Sequence, residues 1–400
     1  MFQIRVDIPK DRAPWEIPLE QRLQILRDAL AKKKRVALLL YELADTSTFR
    51  YRGYNMLQHT LKSDQWQSVY FFLNEAETVL ELLTLIHLIV IIRVRWVHAL
   101  DQIIHRAKAL GKKVLFDVDD LIFSIDHLAM VTNTLNVHFG SERDYEFWFA
   151  CISRMGFSAS KADGFIATND YLGRQLTEKF AKPYRIISNS LNQEQLAVSA
   201  ACAKEKARLL AKGARRNRPF TIGYFSGTPS HLNDFKEVAA EIAALLDKHR
   251  DMRLKVVGFM EFPSILEKAI RKEQVFYTPL VDFLELQRLV AEVDVNIVPL
   301  VENTFTNCKS ELKFFEAAIV DTPTIATPTF TYARCIRDGE NGFLCRPGKW
   351  FETIEGIYQN QTDIPSLIRN AHADALAQYA GKEILRQIET CYSEFAGEDE

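Results

Sequence analysis

Short continuous runs of apolar residues alternate along this chain with stretches whose apolar residues recur at helical spacing. Runs of this kind are typical of parallel strands, because helices cover both faces of a parallel sheet and neither face meets water. One of the intervening helical stretches closes at Gly111, a residue type that commonly ends a helix. The pattern predicts strands at residues 35–41, 69–73, 88–93, 113–116, 164–167, 185–188, 221–225, 253–257, 275–277, 293–299, 323–326 and 342–345.

The alternation of strands and helices occurs twice, on either side of a polar, basic stretch that favours a linker. The fold class that it predicts is α/β, with two facing Rossmann-like domains that are each built on a parallel sheet. Because such sheets bind ligands beyond the carboxyl ends of their strands, we expect ligands in a cleft between the domains. The predicted units are a helical extension at 1–34, a first domain at 35–205, a linker at 206–219, a second domain at 220–375, and a C-terminal helix with an acidic tail at 376–400.

Composition and charge narrow the class of protein. The 400 residues exceed what one core usually serves, and 48% hydrophobic with 26% charged residues is ordinary for a globular protein. A net charge of −2 argues against nucleic-acid binding through the overall field. The cysteines form no CxxC pair, the N-terminus lacks the pattern of a signal peptide, and the most apolar segment, 82–92, is too short to span a membrane. We therefore expect reduced thiols, a cytoplasmic location and no nucleic-acid partner.

A small-residue loop follows the first strand of the second domain and contains Gly227 and Thr228. The backbone N–H groups of such a loop, placed before a helix, can hold an anion, and the helix dipole assists. His231 can add a further donor to a phosphate. A plain strand-to-helix turn is the alternative interpretation of the same residues.

A second candidate site opens the predicted helix at 309–320. Lys309 and Ser310 lie at its start, where a diphosphate would be held, and Lys313 and Glu316 follow at helical spacing on the same face. The carboxylate of Glu316 can accept hydrogen bonds from both hydroxyls of a ribose. A solvent-exposed helix face with ordinary lysine–glutamate pairs is the alternative.

The loop after the first strand of the first domain contains Arg50, Arg52 and Gly53. A glycine lets the loop approach the donor phosphates or the acceptor closely, and the two arginines offer forked donors for phosphate or carboxylate. The alternative is that both arginines lie on the surface of a mobile loop.

Three carboxylates, Asp117, Asp119 and Asp120, end the strand at 113–116. Because neighbouring carboxylates repel one another, such a cluster usually has a use, and a carboxylate within hydrogen-bond reach can remove the proton of an acceptor hydroxyl. We predict a structural role for Asp117 and a catalytic or acceptor-orienting role for Asp119 and Asp120. His127 is an alternative base, although a lone histidine is more often structural.

Several of these segments resemble a known family. KSELKFFEAAIVDTPTIAT (309–327) and IRDGENGFL (336–344), preceded by VDVNIVPL (293–300), resemble the donor-binding signature of the retaining glycosyltransferases of family 4, which have the GT-B fold. STFRYRGYNML (47–57) and VLFDVDDLIF (114–123) resemble a bacterial polysaccharide-synthesis branch of that family. The similarity spans about residues 35–350.

The resemblance implies transfer of a sugar, with retention, from a nucleoside-diphosphate sugar to an acceptor hydroxyl, with no metal ion or other cofactor. It assigns Glu316 to the donor ribose, and it assigns Lys309, Ser310 and the turn at 227–228 to the diphosphate, with His231 beside them. The family often has a second glutamate eight positions earlier, where this chain has Cys308, so no residue is assigned to the sugar hydroxyls.

The acceptor that the resemblance implies is a glycan or a lipid-linked saccharide of the cell surface. Lipid-linked acceptors would bring the protein into peripheral contact with the inner face of the membrane. The basic run at 32–35 could attract anionic lipid, although a solvated helix end is the simpler interpretation.

Three other functions remain open, two of them because of the aspartate cluster. A GT-A glycosyltransferase uses DxD to hold a divalent metal on the donor, but its single nucleotide-binding domain would leave the second half of the chain unexplained. A haloacid-dehalogenase-type phosphatase uses the first aspartate as nucleophile, but its motif would open the domain. A sugar-nucleotide-binding scaffold without catalysis is the third alternative, and Cys308 keeps it open.

Overall fold

The structure is a computed structural model that describes residues 1–10, 13–213, 218–227 and 232–397. Over this part of the chain, the apolar runs form two six-stranded sheets in which all neighbouring strands are parallel. The first sheet contains β1 (Arg35–Tyr41), β2 (Trp66–Phe72), β3 (Leu88–Ile92), β4 (Lys113–Val118), β5 (Gly164–Ala167) and β6 (Tyr184–Ile186). The second contains β7 (Phe220–Ser226), β8 (Met252–Gly258), β9 (Val275–Thr278), β10 (Val295–Val298), β11 (Thr324–Ala326) and β12 (Phe343–Leu344).

Helices cover both faces of each sheet, as the buried apolar strands require. The helices before β7 are α1 (Leu19–Ala31), α2 (Asn55–Thr60), α3 (Ala76–Leu82), α4 (His98–Ala109), α5 (Leu128–Thr134), α6 (Glu142–Lys161), α7 (Asp170–Phe180) and α8 (Gln193–Ala211). Those after it are α9 (Leu232–Lys248), α10 (Glu267–Arg271), α11 (Phe283–Ala291), α12 (Thr304–Asn307), α13 (Leu312–Ala318), α14 (Phe330–Cys335), α15 (Trp350–Tyr358), α16 (Ile364–Tyr379) and α17 (Lys382–Ala396). A π-helical turn at Arg50–Tyr54 leads into α2, and 3₁₀ turns lie at Leu73–Glu75, Ile125–His127 and Ser264–Leu266.

The order of strands in each sheet fixes where ligands can bind. The first sheet runs β2-β1-β3-β4-β5-β6, and its order reverses between β1 and β3. The second runs β12-β11-β10-β7-β8-β9, the order of a Rossmann sheet, and reverses between β7 and β10. Such reversal points leave a crevice outside the carboxyl ends of the strands. The predicted α/β fold with two Rossmann-like units is confirmed.

A central hydrophobic cluster joins the two domains. It contains residues of both sheets, and its edge is marked by Trp15, whose ring lies 5.6 Å from that of Phe283 and 6.2 Å from that of Tyr54. Two further clusters fill the outer faces of the first and second sheets separately. The domains therefore share a packed core at the base of the cleft.

Contacts with the second domain begin before the predicted linker at 206–219. The first sheet ends at Ile186, and α8 packs against α11 of the second domain. Lys206, which the prediction placed in the linker, is buried in this contact and donates to the carbonyl of Val293 at 3.1 Å and to the hydroxyl of Thr322 at 2.7 Å. The part of the linker at 214–217 lies outside the described residues.

Both ends of the chain cross to the opposite domain. The backbone N–H of Phe2 donates to the carbonyl of Glu292 at 2.8 Å, and the guanidinium of Arg218 lies 3.4 Å from the centre of the Phe2 ring. At the other end, α17 returns to the first domain, where the indole of Trp66 donates to Ser393 at 3.0 Å. The extension at 1–34 is thus an integral part of the fold and not only a helix before the first strand.

Candidate active site

A cavity of about 290 Å³ opens between the domains at the carboxyl ends of both sheets. Its first-domain wall comes from the segments after β1, β4 and β6, and its second-domain wall comes from the ends of β7, β8 and β10, the start of α11, and α13 with the turn before it. The wall of α11 is apolar, whereas charged side chains gather where α13 meets the first domain. Among the predicted site residues, those that line the cavity are Arg50, Asp119, Asp120, Gly227, Lys309, Ser310, Lys313 and Glu316.

The predicted phosphate-binding residues lie on one side of the cavity. α13 begins at Leu312, so Lys309 and Ser310 lie in the turn that precedes it, which corrects the predicted helix start at 309. The ammonium of Lys309 is 3.6 Å from the carboxylate of Asp120 and 4.4 Å from the centre of the Phe305 ring. The hydroxyl of Ser310 accepts a hydrogen bond from the amide of Asn189 at 2.9 Å. Both residues therefore bridge the two domains at the cavity wall.

Lys313 lies in the first turn of α13 and is half-buried. Burial lowers the pKa of its ammonium to about 8, although Asp234 acts in the opposite direction. Its ammonium is 5.8 Å from the centre of the Tyr224 ring. A partly desolvated cation gains more from an anionic ligand than a fully solvated one would. The side chain is therefore suited to meet a phosphate.

Glu316 follows Lys313 by three residues and is 5% exposed. Its Oε1 accepts hydrogen bonds from the hydroxyl of Tyr51 at 2.5 Å and from the amide of Gln195 at 2.9 Å. The guanidinium of Arg50 lies 3.6 Å from the same oxygen. Arg50 was expected to bind a phosphate or a carboxylate, and in the structure it lies beside the carboxylate of Glu316.

Asp119 and Asp120 follow β4 and differ in their surroundings. Asp119 accepts from the guanidinium of Arg93 at 2.8 Å and from the hydroxyl of Thr48 at 3.1 Å. Burial opposes ionisation of Asp119, but Arg93 and Arg52 outweigh it and lower its pKa below the usual value. Burial raises the pKa of Asp120, opposed by Lys309 and reinforced by Asp119, and its Oδ1 has no hydrogen-bond partner among the described residues. Asp120 is thus a stronger base than Asp119, and its Oδ1 can accept a hydrogen bond from a ligand.

Two first-domain residues do not line the cavity, which corrects the expectation that they meet donor or acceptor. Arg52 is fully buried, and its guanidinium donates twice to Asp117 at 2.8 Å and once to the carbonyl of Ile187 at 2.6 Å. Asp117 therefore has the structural role predicted for it. Gly53 packs against the ring of Phe49, where an added Cβ would lie 2.5 Å from a ring carbon.

Of the three remaining predicted residues, the structure describes only His127. His127 lies in the 3₁₀ turn before α5, and it does not line the cavity; its Nδ1 is buried without a partner among the described residues. Thr228 and His231 lie outside the described residues. Cys308 is fully buried beside Phe305 in the first domain's outer cluster and does not reach the cavity.

Tyr51, Gln195 and Arg93 are site residues that the sequence analysis missed. Tyr51 lies between the two arginines of the STFRYRGYNML segment. A prediction of a helical turn there would have indicated that residues 50 and 52 point in different directions. Gln195 lies in the first turn of α8, which the sequence assigned to the far end of the first domain. Its local sequence carries no signal of a site, because the contact with Glu316 joins residues 121 positions apart.

The described residues also bear on metal and membrane binding. They contain no group of three or more His, Cys, Asp or Glu side chains that could hold a metal ion. Within the same residues, no helix has both the length and the apolar character needed to cross a bilayer.

Comparison with known proteins agrees with this geometry. Residues 219–360, which contain the second sheet and α13, match the family described as Glycosyl transferases group 1. HepE of Anabaena, solved in complex with UDP, is similar in structure with a TM-score of 0.61 and 13% identity, over 90% of this chain and 100% of that one. No curated protein matches the sequence.

Two further solved structures show the same architecture. A glycosyltransferase of Rickettsia africae has a TM-score of 0.62 and 13% identity, over 92% of this chain and 100% of that one. Sucrose-phosphate synthase of Thermosynechococcus elongatus has a TM-score of 0.56 and 15% identity, over 90% and 99% of the two chains. These likenesses extend over both domains and establish that the arrangement is GT-B.

Proposed function

We propose that this chain, which has the GT-B fold and matches glycosyl transferases group 1 over residues 219–360, is a glycosyltransferase that transfers a sugar from a nucleoside-diphosphate sugar to an acceptor hydroxyl. The observation that carries the proposal is the interdomain cavity, in which lysines and a ribose-binding candidate from α13 and the turn before it face carboxylates that follow β4. A single-domain GT-A enzyme or a dehalogenase-type phosphatase would not have the two six-stranded sheets.

The donor would lie against the second domain. Lys309 and Lys313 supply positive charge on one wall of the cavity, so they would bind the diphosphate and stabilise the charge that develops on it as the sugar leaves. Ser310 would donate to a phosphate oxygen, and Glu316 would accept from the ribose hydroxyls. HepE of Anabaena has been solved with UDP and with UDP-glucose, which supports a nucleotide-sugar donor for a protein of this shape.

The acceptor would approach from the first domain. Asp120 has a raised pKa and, within the part of the chain that the structure describes, an unpartnered oxygen, so it is the carboxylate better suited to take a proton from the acceptor hydroxyl. Asp119, held ionised by Arg93, would orient the acceptor and keep Asp120 in place. Closure of the two domains around both substrates would exclude the water that would otherwise hydrolyse the donor.

The finer parts of the proposal follow from the sequence resemblance. They are retention of configuration, catalysis without a metal ion, and a glycan or lipid-linked saccharide acceptor in bacterial cell-surface polysaccharide synthesis. The proposed location is cytoplasmic, at the inner face of the membrane, where such acceptors are found.

A thermal-shift screen of UDP, GDP, dTDP and their sugars, with and without EDTA, tests the donor site. A ligand that binds only the native state raises the melting temperature by mass action. We expect one nucleotide family to stabilise the protein strongly in EDTA. Stabilisation only with a divalent metal would instead support DxD chemistry, and no response to any of them would contradict a donor site.

Donor hydrolysis and transfer by Asp120→Asn test the catalytic assignment. We expect turnover to fall by about 100-fold or more, because general-base catalysis contributes roughly that much, while nucleotide binding is kept. Asp126→Asn is the matched control, since Asp126 is exposed, pairs with Lys179 and does not line the cavity. Turnover of Asp120→Asn equal to that of the control would remove Asp120 from the reaction, and a wild-type protein that binds donor without turnover would be a scaffold.

A further inference from the structure

The carboxylate of Glu316 is held in part from the opposite side of the cleft. Its Oε1 receives the hydroxyl of Tyr51 at 2.5 Å, which belongs to the first domain, and the amide of Gln195 at 2.9 Å, from the first turn of α8. Arg50 adds its charge at 3.6 Å from the same atom. Glu316 therefore belongs to the second domain but takes part of its orientation from Tyr51 and Arg50 of the first domain.

The groups that hold Glu316 are themselves fixed. Tyr51 is 4% exposed, and the guanidinium of Arg50 lies 4.0 Å from the centre of its ring and 4.7 Å from that of Phe283. Gln195 is fully buried, its backbone N–H is capped by Asn192 at 2.7 Å, and its side-chain oxygen accepts from Arg50 at 3.3 Å. Because these partners have few alternative positions, the carboxylate bonded to them has few as well.

The contacts use only one of the two carboxylate oxygens. Tyr51, Gln195 and Arg50 all meet Oε1, and among the described residues no hydrogen bond is made to Oε2. Glu316 also lines the cavity. An ionised carboxylate accepts through both oxygens, so one oxygen can be held by the protein while the other serves a ligand.

We propose that Tyr51 is a positioning residue for the nucleotide, which fixes Glu316 through Oε1 so that Oε2 is presented to the ribose hydroxyls. The proposal rests on the proposed function, because that function assigns Glu316 to the ribose. Its consequence is that the ribose site of the second domain is complete only when the first domain is in contact with it. Nucleotide binding and domain apposition are then coupled through one hydrogen bond.

Calorimetric titration with two ligand pairs tests the proposal. The ligands are UDP and 2′,3′-dideoxy-UDP, and GDP and 2′,3′-dideoxy-GDP, and the proteins are the wild type, Tyr51→Phe, Glu316→Gln and Tyr392→Phe. Tyr392→Phe is the matched control, because Tyr392 is equally buried and its hydroxyl lies 3.1 Å from that of Ser68, away from the cavity. Thermal denaturation of every variant checks that it is folded, and Gln195→Met removes the second donor to Oε1 if Tyr51→Phe does not fold.

We expect Tyr51→Phe to weaken binding of the ribonucleotide by about tenfold, as loss of a hydrogen bond to a charged group does, and to leave the dideoxy analogue unaffected. The control should change neither. Equal effects on both ligands, no effect on either, or tighter ribonucleotide binding would overturn the positioning role. If Glu316→Gln also fails to distinguish the two ligands, or if the wild type binds none of the four, the ribose assignment of the proposed function fails instead.

Discussion

Lys313 shows at the scale of one residue how burial prepares a side chain for a ligand. Burial lowers the pKa of its ammonium to about 8, so the group is mostly charged at neutral pH and loses its charge as the pH rises through that value. We predict that affinity for a nucleoside diphosphate falls above pH 8, because the neutral amine no longer attracts the phosphates. The bound anion favours the charged form, so binding near pH 8 should take up protons.

Calorimetry in buffers of different ionisation enthalpy measures both effects. Lys313→Arg is the control, because a guanidinium stays charged throughout this range. The affinity of this variant for the nucleotide should therefore not fall as the pH rises above 8. If the arginine variant loses affinity with pH as steeply as the wild type, another group is responsible.

Arg52 is the residue whose role differs most from the one that its sequence suggested. Its guanidinium and the carboxylate of Asp117 are fully buried and meet through two hydrogen bonds. We predict that Arg52→Met lowers the free energy of unfolding by about 3–5 kcal/mol, because it leaves the carboxylate buried and unpaired. Urea denaturation measures the loss.

The matched control for that variant is Arg271→Met. Arg271 is exposed and pairs with Glu267 on the surface, where such ion pairs contribute about 0–1 kcal/mol. Losses of free energy of similar size in the two variants would show that the buried ion pair contributes no more to stability than a surface pair does. At a temperature where Arg52→Met is folded, its affinity for nucleotide should equal that of the wild type, because Arg52 does not line the cavity.

The residue types of the site could be predicted from the sequence, but their directions could only partly be inferred. Lys309, Lys313 and Glu316 were found because a helix places them on related faces and because the segment resembles a donor site. Arg50 and Arg52 look equivalent in a loop, yet the π-helical turn at Arg50–Tyr54 sends one to the cavity and the other into the core. The π-helical turn determines which arginine faces the cavity, and no residue in the segment predicts that turn.

At the scale of elements, α6 shows what close packing requires of one position. Gly156 lies against the backbone carbonyl of Phe123, in the segment that joins β4 to α5, and an added Cβ would be 2.3 Å from that oxygen. We predict that Gly156→Ala destabilises the protein by about 1–3 kcal/mol, as overpacking of a core commonly does, because a backbone atom cannot move aside as a side chain can. The midpoint of urea denaturation is the measurement.

Gly356→Ala is the matched control within another helix. An added Cβ there would lie 3.5 Å from the side chain of Gln361, which is ordinary contact. Alanine favours a helix over glycine by about 1 kcal/mol, so this variant should be as stable as the wild type or more so. A Gly156→Ala variant of unchanged stability would show that α6 can shift away from the β4 segment.

The strands were easier to predict than the short helices. A run such as β1 is apolar throughout because both of its faces are covered, and this signal does not depend on the rest of the fold. The predicted helix at 309–320 is instead the shorter α13, Leu312–Ala318, and a break of a few residues separates it from α12, which ends at Asn307. A break of a few residues leaves the polar and apolar spacing almost intact, so periodicity alone could not locate it.

At the scale of the whole molecule, the exchange of chain ends between domains was not predictable. The contacts of Phe2 with Glu292 and of Trp66 with Ser393 join residues that are hundreds of positions apart. Periodicity reports which face of an element is apolar, but it does not report which surface covers that face. The sequence therefore predicted two domains and their sheets, but not that the first domain is completed by the last helix.

The last helix consequently offers a test of how the domains depend on each other. α17 buries Ile384, Ile388 and Tyr392 fully, and its partners include the edge of β2 and the end of β6 in the first domain. We predict that a variant ending after Gly381 loses several kcal/mol of stability, since each buried side chain contributes about 1.5–3 kcal/mol, and that the loss falls on the first domain. Thermal denaturation gives the size of the effect, and limited proteolysis should place the new cleavage sites before residue 187.

A variant ending after Gly397, which keeps α17, should melt like the full chain. An unchanged midpoint after removal of α17, or cleavage confined to the second domain, would mean that the first domain does not need the helix.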